Sequence, residues 1–365
     1  MDEAMGRPLT GFTAGRAGSA LPGSTERSGA RRIVEEDGDM PKPRIFSGMR
    51  PTGKLHLGNL FGALINWVRL QDDYDCVYGV VDWHALTTAY EDTSEIKSNT
   101  RELVLDYLAA GIDPKKSIVM KQSDVKQHAE LSLLFSMITP LSWLERCPTY
   151  KEQLRELEGR EIMTHGFLGY PVLMAADILV YKADAVPVGE DQLPHLELTR
   201  EIARRFNFLY GPVFPEPQAK LNEVVLLPGT DGRKMSKSYN NVIEMSASAD
   251  EVRRAIENMV TDPARVRRTD PGHPEVCSVH AFHKVFSRTM LDDITRECVN
   301  AGIGCVECKR RLALAVNEFL EPIRERRKAV EREPGLVEDI LADGAKRARV
   351  LAEATLEEVR KAMRI

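Results

Sequence analysis

The amino-acid sequence has no long apolar run, no secretory leader and no large excess of charge of either sign. Nowhere do about 18 apolar residues follow one another, as a transmembrane helix requires, so no membrane contact is expected. The first 40 residues hold no apolar core of a signal peptide, which predicts a cytoplasmic protein. A net charge of −5 over 365 residues excludes a chain that is basic throughout, so RNA can be bound only through local patches.

Two short runs of basic residues are the candidates for such patches. Each is either an RNA contact or a solvated face of a helix, and the solvated face is the commoner origin of a charge run. The two runs are Arg265-Val266-Arg267-Arg268 and the group Arg324, Arg326, Arg327 and Lys328.

The N-terminal segment differs in composition from the rest of the chain. Residues 1 to 42 are rich in Gly, Ser, Arg and Glu and poor in aliphatic residues, so they bury too little surface to offset the entropy of ordering. We predict that this extension is disordered. Met40 stands just before the first apolar segment, and translation starting there is a hypothesis that N-terminal sequencing of the native protein would test.

Short apolar strands alternate with amphipathic helices from residue 43 onward. This alternation predicts an α/β fold, with a doubly wound parallel, Rossmann-like sheet and an α-helical C-terminal part. Pro187 is a caution, because proline weakens the prediction of a central strand. The predicted strands are Arg44–Gly48, Cys76–Val81, Ile118–Met120 and Ala185–Val188, with a helix at about 94–110. The predicted domains are 43–240 (catalytic), 241–340 (helical) and 341–365 (a last helix packing back on the body).

Two phosphate-handling motifs lie far apart in the chain. The first, Pro51-Thr52-Gly53-Lys54-Leu55-His56-Leu57-Gly58-Asn59, joins a strand to a helix. Such a turn lets backbone N–H groups approach phosphate oxygens. The second, Gly232-Arg233-Lys234-Met235-Ser236-Lys237-Ser238, offers two lysines and two serines that can flank a pyrophosphate. Taken singly, they are also compatible with an ordinary Gly-containing turn and a solvated Lys/Ser loop.

Together the motifs resemble the HIGH-type element (here HLGN) and the KMSKS element of class I aminoacyl-tRNA synthetases. The stretches around them resemble tryptophanyl-tRNA synthetase, and the resemblance covers about residues 43–365. It implies ATP with Mg²⁺, L-tryptophan and tRNA(Trp) as ligands, a homodimer and anticodon binding by the helical region. The implied catalytic residues are His56, Lys234, Ser236, Lys237 and Ser238. The implied ATP-binding residues are Arg50, Pro51, Thr52, Gly58, Asn59, Gly189, Glu190, Asp191, Val225, Lys234, Met235, Ser236, Lys237 and Ser238.

One position departs from the family pattern. Common bacterial relatives read Gln-Pro-Ser where this chain has Arg50-Pro51-Thr52, and they lack the histidine at position 56. Arg50 either reaches a phosphate or points to solvent.

The segment Tyr170–Leu179 resembles the helix of the family that binds the amino acid. Met174 and Asp177 are three residues apart and share a helix face. An apolar slot with one acceptor suits an indole, whose only polar atom is an N–H donor. By resemblance, Asp177 accepts that hydrogen bond, Met174 and Phe46 pack on the ring, and Tyr170 and Gln192 hold the ammonium and carboxylate groups. A capping aspartate and a core methionine are the plainer alternatives.

Four of the six cysteines follow the spacing C-x20-C-x6-C-x2-C. In a cytosolic chain such a cluster indicates a metal site rather than disulfides. Only one C-x2-C pair is present, whereas zinc sites usually have two. The spacing resembles a subset of tryptophanyl-tRNA synthetases with a [4Fe–4S] cluster, so iron–sulfur is preferred over Zn²⁺, with unligated thiols as the remaining possibility. The four residues are Cys277, Cys298, Cys305 and Cys308.

The resemblance implies a tryptophan–tRNA ligase as the leading function, and two alternatives are less favoured. One is a nucleotidyltransferase of the wider HIGH superfamily that acts on another acid; the full KMSKS motif and the helical C-terminal half argue against it. The other is a metal-containing RNA-binding relative that no longer activates an amino acid; intact His56, Asp177, Lys234 and Lys237 argue against it.

Overall fold

Five parallel strands form the centre of the molecule, in the order β3-β2-β1-β4-β5. The computed structural model describes residues 42–148, 164–221 and 226–365, so the predicted disorder of the N-terminal extension falls almost wholly outside the described residues. The chain grows outward from β1 first to one side and then to the other, as the predicted doubly wound sheet requires. The strands are β1 (Arg44–Met49), β2 (Asp75–Val80), β3 (Ile118–Lys121), β4 (Ala185–Val188) and β5 (Gln218–Leu221).

Helices cover both faces of the sheet. Successive residues of one strand point to opposite faces, so Ile45 joins one apolar cluster and Phe46 the other. The described helices are α1 (Leu57–Asn59), α2 (Ile65–Leu70), α3 (Asp82–Ala89), α4 (Ile96–Ala110), α5 (Gln127–Ser136), α6 (Leu141–Glu145), α7 (His165–Leu179), α8 (Leu193–Tyr210), α9 (Ala249–Glu257), α10 (Ser278–Phe286), α11 (Leu291–Val299), α12 (Cys305–Glu331) and α13 (Leu336–Met363). A π-helical segment, Leu60–Leu64, joins α1 to α2.

The four predicted strands and the helix at 94–110 are confirmed to within about two residues at their ends. The helix α4 ends where Gly111 adopts a φ of 115°, a conformation that favours glycine. The strand β5 was not predicted, because it is an edge strand of four half-exposed or exposed residues without an apolar pattern. After β5, the described elements are helices, as expected.

Proline does occur in β4, and the register of the strand explains why it is tolerated. β4 pairs with β5 over four residues, but its register with β1 is the single pair Ile45–Ala185. Pro187 therefore costs no hydrogen bond of the ladder to β1. Beyond Ala185 the two central strands separate, which opens space between their carboxyl ends.

The helix α13 packs closely against β3. A Cβ atom built on Gly344 would lie 1.8 Å from the carbonyl oxygen of Val119, so the helix backbone touches the strand backbone at this point. Arg360 also reaches from α13 to Glu130 of α5, with 2.8 Å between Nε and Oε1. Lys42–Ile365 forms one compact unit. The domain boundaries predicted within it, at 240 and 340, stay predictions.

The basic group at 324–328 does not form an open patch. Arg324 and Arg327 are buried, and the guanidinium of Arg324 donates to the carbonyl of Ala247 at 2.7 Å. Arg326 donates to the carbonyl of Ala109. Both sequence interpretations of this group, RNA contact and solvated face, are therefore wrong for the two buried arginines, which hold α12 to the rest of the chain.

Within the described residues, no helix combines the length and apolarity that crossing a bilayer requires.

Candidate active site

A cavity of about 550 Å³, here called the strand-end cavity, opens between the separating ends of β1 and β4. This is the point where the strand order reverses, the usual ligand site of a doubly wound sheet. All five residues predicted to bind the amino acid line it, together with several of the predicted ATP set. The lining residues used below are Phe46, Met49, Arg50, Asn59, Gly62, His84, Tyr170, Met174, Asp177, Gly189, Asp191, Gln192 and His195.

The helix α7 brings three of these side chains to the cavity. Tyr170, Met174 and Asp177 follow one another at spacings of four and three, which places them on one helix face. Thr164 caps the helix by accepting a hydrogen bond from the backbone N–H of Phe167 at 3.1 Å.

Asp177 is buried and is held by three side-chain donors. Its Oδ1 accepts from Nε2 of Gln122 at 2.7 Å and lies 2.6 Å from Nδ1 of His128, while its Oδ2 lies 2.7 Å from Nε2 of His84. Burial alone would raise the pKa of Asp177, but the hydrogen bonds and charges of His128 and His84 outweigh burial and lower the pKa to about 2. The carboxyl is therefore ionised at neutral pH and can only accept hydrogen bonds.

The sequence interpretation missed these three partners of Asp177. A signal was available for two of them, because Gln122 and His84 follow directly or closely after β3 and β2. Side chains after parallel strands converge at one edge of the sheet. His128 gives no such signal, because it lies within α5 and reaches Asp177 only through the packing of α5 on α7.

Tyr170 belongs to a second polar group in the cavity. Its hydroxyl lies 3.1 Å from Nε2 of His195, whose Nδ1 lies 3.5 Å from Sγ of Cys147. Burial lowers the pKa of His195 and raises that of Tyr170, so both remain uncharged at neutral pH. Gln192 donates to the carboxylate of its neighbour Asp191 at 2.9 Å.

A second cavity, here called the two-motif cavity, has a volume of about 630 Å³ and brings the HLGN and KMSKS segments together. It shares Met49, Arg50, Asn59 and Gly62 with the strand-end cavity, so the two spaces adjoin. Other predicted residues on its wall are Thr52, His56, Gly58, Lys234, Met235, Ser236, Lys237 and Ser238.

The two motifs also touch each other directly. The Nζ atom of Lys237 donates to the carbonyl of Thr52 at 2.9 Å, and the backbone N–H of Gly58 points to Sδ of Met235 at 3.3 Å. Burial and, after it, the charge of Lys237 lower the pKa of His56 to about 4. His56 is therefore neutral at physiological pH, and the positive charge of the cavity comes from lysine and arginine.

Three residues of the predicted ATP set are not placed on a cavity wall. Pro51 is buried, and Glu190 is exposed outside the lining of either cavity. Val225 lies outside the described residues.

The four clustered cysteines line one small cavity, together with Asp262 and Arg265. Burial, and then the proximity of the other three thiols, raises the pKa of Cys308 to about 12. Sγ of Cys308 lies 3.4 Å from Nε2 of His283, and a guanidinium nitrogen of Arg265 lies 3.8 Å from Sγ of Cys298. No group of three or more His, Cys, Asp or Glu side chains in the described part of the chain is arranged to hold a metal ion. The fold thus gathers the predicted ligands without forming a finished ligand set.

Comparison with known proteins identifies the family. Residues 40–321 match the profile of the class I tRNA synthetases for W and Y. The chain is 56% identical to the tryptophan–tRNA ligase of Thermotoga maritima over 325 residues, 88% of this chain and 99% of that protein. It is 47% identical to the tryptophan–tRNA ligase of Aquifex aeolicus over 393 aligned positions, covering 88% and 100% of the two chains. The crystal structure of tryptophanyl-tRNA synthetase from Campylobacter jejuni with ADP and tryptophan superposes with a TM-score of 0.80 at 34% identity, covering 88% and 100%.

The parallel sheet, the adjoining cavities and the profile match define a class I aminoacyl-tRNA synthetase. Within that class the chain belongs to the tryptophan–tRNA ligase family.

Proposed function

We propose that tryptophan binds in the strand-end cavity and ATP in the two-motif cavity, and that the two substrates meet at the residues common to both. The chain is a tryptophan–tRNA ligase, and the shared wall at Met49, Arg50 and Asn59 is the observation that carries the assignment of the two substrates to the two cavities. A shared wall brings the carboxylate of the amino acid close to the phosphates, which such a reaction requires.

On the tryptophan side, Asp177 accepts the indole N–H. Its low pKa keeps the carboxyl ionised, and its position on the cavity wall makes the acceptor available. Phe46 and Met174 supply apolar walls for the ring. Tyr170 and Gln192 lie on the same wall and hold the ammonium and carboxylate ends.

On the ATP side, the backbone of the HLGN turn and the KMSKS side chains hold the triphosphate, which Mg²⁺ accompanies. His56 is neutral and donates a hydrogen bond, while Lys234 and Lys237 supply charge. The segment Gly189–Asp191 contacts the ribose and adenine.

The reaction proceeds in two displacements. An oxygen of the tryptophan carboxylate attacks the α-phosphorus of ATP, and pyrophosphate leaves with the electron pair of the broken P–O bond. A hydroxyl of the terminal ribose of tRNA(Trp) then attacks the carbonyl of the mixed anhydride; the C–O bond to the phosphate breaks, and AMP leaves with the electron pair while its phosphate takes up the proton of the hydroxyl. The protein orients the reacting groups and stabilises the charge that develops on the phosphoryl oxygens.

Pyrophosphate exchange into ATP, with each amino acid in turn, tests this proposal. Exchange with tryptophan alone is the expected result. Exchange with a different acid would indicate the nucleotidyltransferase alternative. No exchange with any amino acid, combined with retained tRNA binding, would indicate a relative that no longer activates an amino acid.

The four clustered cysteines are proposed to hold a [4Fe–4S] cluster, with Zn²⁺ as the alternative. They fit to the extent that four thiols line one cavity between α10, α11 and α12. The preference for iron–sulfur rests on the spacing of the cysteines, which includes only one C-x2-C pair, whereas zinc sites usually have two. A bound cluster would cross-link these helices. Iron and sulfide analysis after anaerobic purification is the test, and stoichiometric zinc without iron would overturn the assignment.

The remaining proposals concern the partners and the larger organisation. The helical region 241–340 contacts the anticodon of tRNA(Trp), and two copies of the chain form a homodimer. Sedimentation equilibrium of the pure protein tests the second point, and a monomer at micromolar concentration would contradict it.

A further inference from the structure

Behind Asp177, on the side away from the strand-end cavity, lies a chain of two more buried polar side chains. Nδ1 of His128 lies 2.6 Å from Oδ1 of Asp177, and Nε2 of the same ring lies 2.6 Å from the hydroxyl of Tyr181. His128 and Tyr181 have no exposed surface. Neither lines the strand-end cavity, so neither can touch a ligand there.

The direction of these hydrogen bonds follows from their chemistry. The carboxylate of Asp177 is ionised and can only accept, so His128 donates from Nδ1. Burial and the nearby carboxylate raise the pKa of Tyr181 well above its usual value, so its hydroxyl keeps the proton and forms a hydrogen bond with Nε2 of His128. This hydrogen bond fixes the orientation of the ring, with Nδ1 toward Asp177.

A count of acceptor positions shows what this arrangement leaves for a ligand. A carboxylate has about four acceptor positions, two on each oxygen. Gln122 and His128 fill those of Oδ1. His84, which itself lines the strand-end cavity, fills one position of Oδ2. One acceptor position of Oδ2 is therefore left for a ligand.

We propose that His128 and Tyr181 are positioning residues, which fix Oδ1 of Asp177 from behind so that the remaining acceptor position of Oδ2 faces the substrate ring. The proposal rests on the role of Asp177 as the acceptor of the indole N–H. Its consequence is a specificity rule: the preference for a ring that carries an N–H donor depends on two residues that the ring never touches.

Tyr181 also supports the apolar wall of the site. Its ring stacks on that of Phe46, with centroids 5.6 Å apart and an angle of 20° between the planes. Phe46 lines the cavity. One buried tyrosine therefore supports both the acceptor and the aromatic wall, and only its hydroxyl serves the acceptor. Replacing Tyr181 by phenylalanine separates the two roles, because the ring remains.

The test compares tryptophan with 3-(benzothiophen-3-yl)alanine, in which a sulfur atom replaces the ring N–H at similar size. Pyrophosphate exchange gives the KM for tryptophan, the inhibition constant of the analogue and the KM for ATP. The measured quantity is the inhibition constant divided by the KM for tryptophan. A site built around a hydrogen bond discriminates strongly against a ligand that lacks the donor.

Tyr181→Phe is expected to lower this ratio about threefold to tenfold, because it removes the hydrogen bond between the Tyr181 hydroxyl and His128. His128→Leu is expected to lower it by more than about tenfold, because it removes a direct donor to the carboxylate. His128→Asn places an amide donor near the position of Nδ1 and should restore part of the ratio. The KM for ATP should stay within about twofold in all three, because the changes lie outside the two-motif cavity.

A matched control removes a buried tyrosine hydroxyl elsewhere. Tyr107 is also fully buried and donates to the carbonyl of Gly79 at 3.3 Å, and neither residue lines a substrate cavity. Tyr107→Phe should lower the thermal midpoint as Tyr181→Phe does, yet leave the ratio at the wild-type value. A ratio that falls equally in both variants would show general loosening and would overturn the proposal.

Asp177→Ala separates failure of this proposal from failure of the site assignment. If Asp177→Ala leaves the ratio unchanged, Asp177 is not the indole acceptor and the assignment itself fails. If Asp177→Ala lowers the ratio while Tyr181→Phe and His128→Leu keep it, the acceptor is correct and the positioning role is wrong. Tyr181→Phe is close to isosteric, so the test survives even if the other variants do not fold.

Discussion

Arg50 lines both cavities, and among the described residues no other lysine or arginine does so. It stands where common bacterial relatives carry glutamine, which left open whether it meets a phosphate or solvent. Its position at the shared wall places the guanidinium where the triphosphate and the amino acid are proposed to meet. Arg50 is also an exposed residue, so the phosphate contact and the solvent-facing position both stay open, and its role in ATP binding stays a prediction.

Arg50→Gln is expected to raise the KM for ATP roughly tenfold or more, since a hydrogen bond to a charged group contributes about 1.5–3 kcal/mol. The KM for tryptophan should change less. Pyrophosphate exchange measures both constants. Arg69→Gln, at an exposed position of α2, is the matched control. ATP kinetics equal to those of the wild type would reject a phosphate contact.

His56 couples pH to stability through its lowered pKa. Its pKa is about 4 in the folded chain, mainly because of burial, against about 6.5 in an unfolded chain. Between these values the unfolded state binds the proton more readily. The contribution of His56 to stability is therefore complete above about pH 6.5 and is lost as the pH falls toward 4.

Urea unfolding at about pH 7.5 and about pH 5 tests this linkage. The wild type should lose more unfolding free energy between the two values than His56→Gln does, because glutamine does not titrate. His165→Gln, at an exposed position, should behave like the wild type. An equal loss in the wild type and in His56→Gln would show that this residue is not the source.

At the scale of elements, the contact between α13 and β3 depends on one glycine. The helix reaches the strand backbone at Gly344, where any side chain would collide with the carbonyl of Val119. The obstacle is backbone rather than a flexible side chain, so it cannot move aside without disturbing the sheet. The helix must shift if a methyl group is added, and its ion pair with α5 shifts with it.

Gly344→Ala is expected to destabilise the fold by about 2–4 kcal/mol, although alanine is the better helix former. Thermal and urea unfolding provide the measurement. Ala342→Val adds volume at an exposed position of the same helix and should cost less than about 1 kcal/mol. A Gly344→Ala variant as stable as the wild type would contradict the close approach.

At the scale of the whole molecule, one buried carboxylate connects three distant segments. Oδ2 of Asp106 in α4 accepts from the backbone N–H of Leu55 at 2.7 Å, inside the first phosphate motif. Its Oδ1 accepts from Arg327 of α12, which also contacts Glu102 and Glu331. The helical region is thus tied to the loop of the first motif through a buried charge pair.

Arg327→Met should destabilise the protein by about 3–5 kcal/mol, because it leaves Asp106 buried without its charge partner. Arg326→Met is the control. Arg326 is exposed, and its guanidinium donates a hydrogen bond to the main-chain carbonyl of Ala109 in α4. Denaturant unfolding of both variants gives the comparison. An equal loss of unfolding free energy in the two variants would show that the buried ion pair contributes no extra stability.

Much of the fold and part of the site were predictable from local pattern. The apolar runs of β1 to β4, the glycine after α4 and the two phosphate motifs are each encoded within a few neighbouring residues. The edge strand β5 was not found, because four polar or half-exposed residues pair only once β4 is in place. Arg324 and Arg327 of α12 were misread because their partners, the carbonyl of Ala247 and the carboxylates of α4, lie far from them in the chain.

The order of residues by itself determined the chemistry available to this protein: glycine-containing turns of the kind that can bind phosphate, lysines in a loop, an acceptor on an apolar helix face and four thiols. Only the tertiary structure decided which of these groups share a space. The separation of β1 from β4 opens the strand-end cavity, and the packing of α5 on α7 adds His128 to the two donors of Asp177 that follow β2 and β3. Such contacts join residues up to 93 positions apart in the case of Asp177. Local preferences cannot specify them, because burial and hydrogen bonding become favourable only when the whole sheet has formed.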